Sequence, residues 1–258
     1  MLARFRTIAL GSLAAAFLVV GPAQARADEP LPRFEDPLCP GVVGLKQEAA
    51  ETVVGMIRGN AETLGLPLAK EATCEANVVI AFVDDGADYL NRLVDQNSTL
   101  FFEMDRAERQ ALLAETGSAR AVLRVRARSR DGMPIPRREN LADIPVAEMW
   151  LAHSKIYTAT RNDILSALIL IDRKAVSGLS LQQLADYASF RALTHTLPPA
   201  SARDQSIVSL FDEGGDRPNG LTEYDRKFLA TLYEGLPNLP GSARLAALEA
   251  ATGTPFTE

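Results

Sequence analysis

The sequence predicts an α+β fold, a mixed sheet with helices packed on it. Three features lead there. Apolar residues recur at helical spacing in some segments, as at Ala50, Val53, Val54, Ile57, Ala61 and Leu64. Elsewhere they alternate, as Leu123, Val125 and Ala127 do against Arg124, Arg126 and Arg128. A third kind of run, ILSALILID at 164–172, is apolar nearly throughout and reads as a strand covered on both faces. Taken in order, the segments run helix, strand, helices, strands, helices. That order suits an α+β domain with a largely central sheet.

Residues 28–41 hold four prolines and read as an extended arm. The first helix covers 43–64 and stops at Gly65 and Pro67. NVVIAFV at 77–83 is a buried strand, closed by the turn residues Asp84, Asp85 and Gly86. Tyr89, Leu90, Leu93 and Val94 mark a second helix. The polar segment 105–116 is a third, ended by Gly117. The alternating strand 121–132 runs into a hairpin signal at Asp131 and Gly132. After the strand 164–172, Ser180 with Gln183 three residues on forms a capping signature for a helix over 180–194, which ends before Pro198 and Pro199. A loop rich in Pro, Gly, Asp and Ser follows at 198–220. Thr222 caps a helix over 221–236, and a last helix covers 242–251.

Residues 1–27 read as an export signal. Arg4 and Arg6 precede a short apolar run from Ile8 to Val20, and small-x-small sites follow at Ala23/Ala25 and Ala25/Ala27. The run is shorter than the roughly 20 residues that span a bilayer, and no later segment of that length is free of charge. The expected product is a single periplasmic or secreted domain, 28–258, with no membrane span. A subdivision, if present, would fall near 130–145. The whole chain carries 27 basic and 33 acidic residues, and loss of Arg4, Arg6 and Arg26 takes the balance from −6 to −9. An acidic chain of this kind is not a general nucleic-acid binder. Cys39 and Cys74 are the only cysteines. In an exported chain they are expected to form one disulfide, since no Cys or His lies close enough to complete a zinc set.

The helix 180–194 invites comparison with a zinc-binding helix. Laid from Ala185, ADYASFRALTH occupies the window of the pattern H-E-x-x-H-x-x-G-x-x-H, and only His195 falls on a ligand position. Ala185 and Ser189 stand at the first two histidines, Asp186 at the general base, and Ala192 at the glycine. SIVSLF at 206–211 is similar to the Ser-Ile-Met turn beneath such a metal, with Val208 in the Met position. LTEYDRKFLATLYEG is similar to a closing helix of the same enzymes. On these residues, about 160–236, the chain resembles a metzincin peptidase that has lost its zinc histidines. It also resembles a family of uncharacterised exported proteobacterial proteins whose corresponding helix likewise lacks them.

The resemblance implies a zincin-like C-terminal half. The chemistry implies no zinc catalysis, because such a site needs three donor side chains and an open position. The chain has two histidines in all, His153 and His195, and alanine has no donor atom. No metal and no cofactor are expected. The expected function is non-catalytic binding on a degenerate peptidase scaffold. The cleft would be framed by 164–172 and 180–194, and an extended peptide could add there as a strand. The partner would be a protein, a peptide or an anionic envelope ligand. Trp150 with His153 could line a pocket, and Arg124, Arg126 and Arg128, with Arg130, Arg137 and Arg138, form a basic ribbon that could hold an anion. The competing expectation is a hydrolase that uses Asp186 and His195. The pairs Asp84/Asp85 and Asp163/Asp172 are weaker candidates for paired carboxylates.

Overall fold

The structure is a computed structural model. It describes residues 28–256 apart from 71–72, 97–98, 102–103, 105, 136–153, 155, 213 and 215–216. Four strands and six α-helices lie in the described chain. β1 (Pro40–Val43) leads into α1 (Gln47–Thr63), β2 (Val78–Val83), α2 (Gly86–Asp95) and α3 (Arg106–Ala114). β3 (Ala119–Ser129), β4 (Thr160–Asp172), α4 (Leu181–Leu193), α5 (Glu223–Tyr233) and α6 (Gly241–Thr252) complete the order. The sheet runs β1-β2-β4-β3. The first three strands are parallel, and β3 pairs antiparallel to β4 at the end of the sheet. The fold is therefore α+β with a mixed sheet and packed helices.

β4 is interior because its side chains are apolar toward both faces. Ile164, Ala167, Ile169 and Ile171 enter the larger core with α1, α4 and α5. Leu168 and Leu170 enter a smaller core with Leu90, Phe101, Leu112 and Val122. Ile164 and Ala167 share a face although they differ in parity. A β-bulge accounts for it: Arg124 pairs with Ser166 and Val125 with Ile164, so Leu165 is the extra residue.

The arm is more structured than its prolines suggest. Its end forms β1, and Arg33 bridges to Asp163 in parallel, with Ile164 N donating to Arg33 O at 2.9 Å. The arm thus lies beside the first residues of β4. Arg33 then crosses to α5, where its guanidinium donates to Leu232 O at 3.1 Å and Gly235 O at 2.9 Å. Those are carbonyls at the helix end, which have no partner within the helix. The Tyr233 hydroxyl accepts from Phe34 N at 3.1 Å and donates to Leu193 O at 2.8 Å, so one side chain joins the arm to the end of α4. Burial pushes that phenol above its ordinary range.

Cys39 and Cys74 form a disulfide with Cα atoms 6.1 Å apart. The bridge ties the start of β1 to the segment before β2 and closes a loop of 35 residues. On the loop-entropy account such a bridge stabilises by about 3–4 kcal/mol. The segment 198–220 is not an open loop throughout. It contains two 3-10 helices, Ala200–Gln205 and Ile207–Phe211. No helix among the described residues is long and apolar enough to cross a membrane.

Candidate functional site

Helix α4 starts as its sequence dictates. Ser180 Oγ accepts from Gln183 N while the Gln183 side chain accepts from Ser180 N, a reciprocal cap. Eleven of its 13 residues are buried. Ala185 and Ser189 are fully enclosed. Ser189 Oγ donates to Ala185 O at 2.8 Å and accepts from Asn60 Nδ2 at 2.9 Å. The same Asn60 amide donates to Asp186 Oδ1 at 2.8 Å, as does Gln182 Nε2 at 2.8 Å. Asp186 Oδ2 accepts from Leu221 N at 2.9 Å. These groups join α4 to α1 and to the start of α5. Ser189 also borders a small gap with Ile57 and Ala61, of about 10 Å³, room for one water at most.

Val208 is buried in its 3-10 turn, and its amide donates to Ser206 Oγ at 3.2 Å. Beneath it, Asp225 accepts from Ser206 Oγ at 2.5 Å, from Ile207 N at 2.8 Å and from Thr222 N at 2.9 Å. Burial outweighs those hydrogen bonds and holds the Asp225 carboxyl above its usual 3.8. This polar cluster fastens the turn 206–211 to α5.

His195 lies elsewhere. Helix α4 ends at Leu193, and His195 is exposed beyond it. Its Nε2 meets Glu108 Oε1 of α3 at 3.1 Å. His195 borders a groove of about 420 Å³, which is lined by Leu112 of α3, Glu115 just past its end, Ala121 and Leu123 of β3, and Arg191 of α4. Arg191 stands about 200° round the helix from Ser189 at 100° per residue, which explains why one faces the groove and the other faces α1. Arg191 Nη2 is 4.0 Å from Glu115 Oε1. The groove is apolar on its floor and carries two acid–base contacts, at Glu108 of α3 and at Glu115 just past that helix. Ala185, Asp186, Ser189 and Val208 do not line it.

Two expectations are corrected here. The groove is framed by β3 and α3 with the end of α4, not by the strand 164–172, because β4 is interior and both of its faces are covered. Asp186 and His195 do not form one site: Asp186 borders a separate cavity with Asn60, Leu64 and Arg226. Among the described residues no group of three or more His, Cys, Asp or Glu side chains could hold a metal ion.

The basic ribbon lies on the end strand. Arg128 donates to both Asp36 oxygens, at 3.2 and 3.0 Å, and sits 3.2 Å from Asp163. Arg126 pairs in register with Asp163, and Arg124 with Ser166. Arg128 of the ribbon thus serves to hold the arm. Asp163 and Asp172 lie at opposite ends of β4, about 30 Å apart by strand rise, too far for joint acid–base work. Asp172 Oδ1 accepts from Gly86 N at 2.7 Å, and Asp85 Oδ1 caps α2 through Ala87 N and Asp88 N. Trp150, His153, Arg137 and Arg138 lie outside the described residues.

Sequence reasoning missed Glu108, Glu115 and Arg191. Glu108 shares one face of α3 with Ala111 and Leu112, and Glu115, seven residues after Glu108, follows just past the helix end. That face was readable; its partner across the groove was not. Comparison with protein-family models, with curated proteins and with solved structures finds no match to this chain.

Proposed function

We propose that this is an exported, non-catalytic binding protein on a degenerate metallopeptidase-like scaffold, and that it holds an extended peptide segment in the groove between β3, α3 and the end of α4. The groove carries this reading. It lies beside the end strand of the sheet, whose outer edge over 121–127 pairs with no other strand among the described residues. Main-chain donors and acceptors on such an edge are ready to pair with an added strand. Its volume of about 420 Å³ accommodates large side chains of the bound segment. Glu108, Glu115, Arg191 and His195 supply polar contacts at its rim.

The non-catalytic reading is supported by how the other polar groups are spent. Asp186 and Ser189 bind other parts of the fold, and Ala185 offers no donor atom. A hydrolase that used Asp186 with His195 would have to act across two cavities. The peptidase ancestry rests on the residue pattern over 160–236 and on the strand, helix and turn that carry it.

The test is capture of peptides from a randomised display library on immobilised full chain, followed by mass analysis of the captured peptides. The proposal expects enrichment of a defined set, recovered uncut. The variant Ala111→Trp places an indole in the groove from an exposed position and should abolish capture. Cleaved peptides, or capture unchanged in Ala111→Trp, would overturn it.

A further inference from the structure

The cavity beside Asp186 is a second site, independent of the groove. It has a volume of about 270 Å³ and lies between α1, α4 and α5. Leu64, Leu221 and Leu229 supply its apolar walls, Asn60 and Asp186 its inner polar groups, and Arg226 its rim. Asp186 is only 3% exposed. Its three partners, Asn60, Gln182 and the Leu221 amide, are all neutral, and no cation among the described residues pairs with it. A buried carboxylate is ordinarily matched by a cation. Here the match is absent from the fold, while an open cavity reaches the acid.

The acceptor count indicates what would complete it. A carboxylate offers about four lone-pair sites. Oδ1 already takes two donors, and Oδ2 takes one. Oδ2 keeps one acceptor position. Asn60 spends its amide N–H groups on Asp186 and Ser189, and its Oδ1 accepts from no described residue. Two acceptors on an apolar cavity suit an ammonium group. Gly220 preserves the arrangement, since a Cβ there would come within 2.5 Å of Asp186 Oδ2. At the rim, Arg226 is exposed, and its guanidinium has no partner among the described residues. The cavity thus presents an anion inside, apolar walls, and a cation at its mouth.

We infer that this cavity binds a small apolar α-amino acid as its zwitterion: the ammonium on Asp186 and Asn60, the side chain against Leu64 and Leu229, the carboxylate on Arg226. A matched trio tests each part on the full chain by calorimetry: L-leucine, isoamylamine, which is leucine without its carboxylate, and isocaproate, which is leucine without its amine. Leucine should bind with a Kd of about 1 mM or tighter, isoamylamine about tenfold more weakly, and isocaproate not measurably. Asp186→Asn should weaken leucine by about tenfold or more, as loss of a charged hydrogen bond does. Arg226→Gln should bring leucine to the level of isoamylamine. If Asp186→Asn fails to fold, Arg226→Gln and Ala230→Trp decide the matter, since both residues are exposed and outside the Asp186 hydrogen bonds. Ala230→Trp should fill the cavity and remove leucine binding. Failure of leucine and isoamylamine to bind the natural chain, equal binding of isocaproate, or leucine binding unchanged in the two exposed variants would overturn the assignment. Leucine binding should persist in Ala111→Trp, which separates this site from the groove.

Discussion

The two ends of helix α4 are built differently. From Gln183 to Ser189 it is enclosed, and three polar side chains there are tied into the fold: Gln183 on Ser180 and Pro218, Asp186 on three donors, Ser189 on Ala185 and Asn60. Its last turn and the residues just beyond it meet a groove, where Arg191 faces Glu115, just past α3, at 4.0 Å and His195 faces Glu108 of α3 at 3.1 Å. The facing helix is also built differently. α3 has one buried residue, Leu112, against eleven in α4. A helix can therefore hold a fold together along one part and, on the proposed function, carry a recognition surface at the other. The positions where a zinc peptidase would place its first two histidines fall in the enclosed part.

Substitutions separate the two ends. The largest effect is expected from restoring the histidine pattern with Ala185→His and Ser189→His together. Both sites are 0% exposed, so two imidazoles overfill the contact with α1. A loss of about 4 kcal/mol is expected in denaturant unfolding, with no zinc bound in return. A stable double variant that binds zinc would mean that the enclosed end is a metal site after all. Next is Asn60→Ala, which strips one donor from Asp186 and one from Ser189. The expected loss is about 2 kcal/mol by the same measurement.

A smaller effect tests the turn that underlies the same end. Because burial holds the Asp225 carboxyl above its usual 3.8, the folded chain binds that proton more tightly than the unfolded chain. Its contribution is complete below the unfolded pKa and is lost as pH rises through the folded value. The stability of the natural chain relative to Asp225→Asn should therefore fall as pH rises above the ordinary carboxylate range. A flat or rising difference would place the proton elsewhere.

The smallest stability effect belongs to the groove end. His195→Gln should change stability by no more than about 0.5 kcal/mol, because His195 and Glu108 are both partly exposed. It should nonetheless weaken peptide capture. A large loss of stability from His195→Gln, with capture intact, would dissolve the distinction between the two ends.

The elements with strong local signals were legible in the chain. The apolar run of β4, the Ser180–Gln183 cap and the Thr222 cap follow from neighbouring residues, and the Cys39–Cys74 pairing follows from there being two cysteines in all. β1 was not legible, since PGVV is four residues long and follows a proline-rich arm; only its pairing with β2 makes it a strand. The 3-10 turns within 198–220 were hidden for a similar reason, with Ser206 and Asp225 19 residues apart. The site was legible only in part. Asp186 and His195 are close in sequence, but the helix ends between them and they part to different cavities. Glu108 comes to His195 from 87 residues away, and no periodicity could announce it.

The central claim is that helix α4 carries no metal and that its free end serves binding. Zinc content, measured by mass spectrometry on full chain purified without chelator, tests this most directly. The account predicts far less than one zinc per chain and no change in thermal unfolding on addition of EDTA. One zinc per chain, lost in His195→Ala, would contradict it.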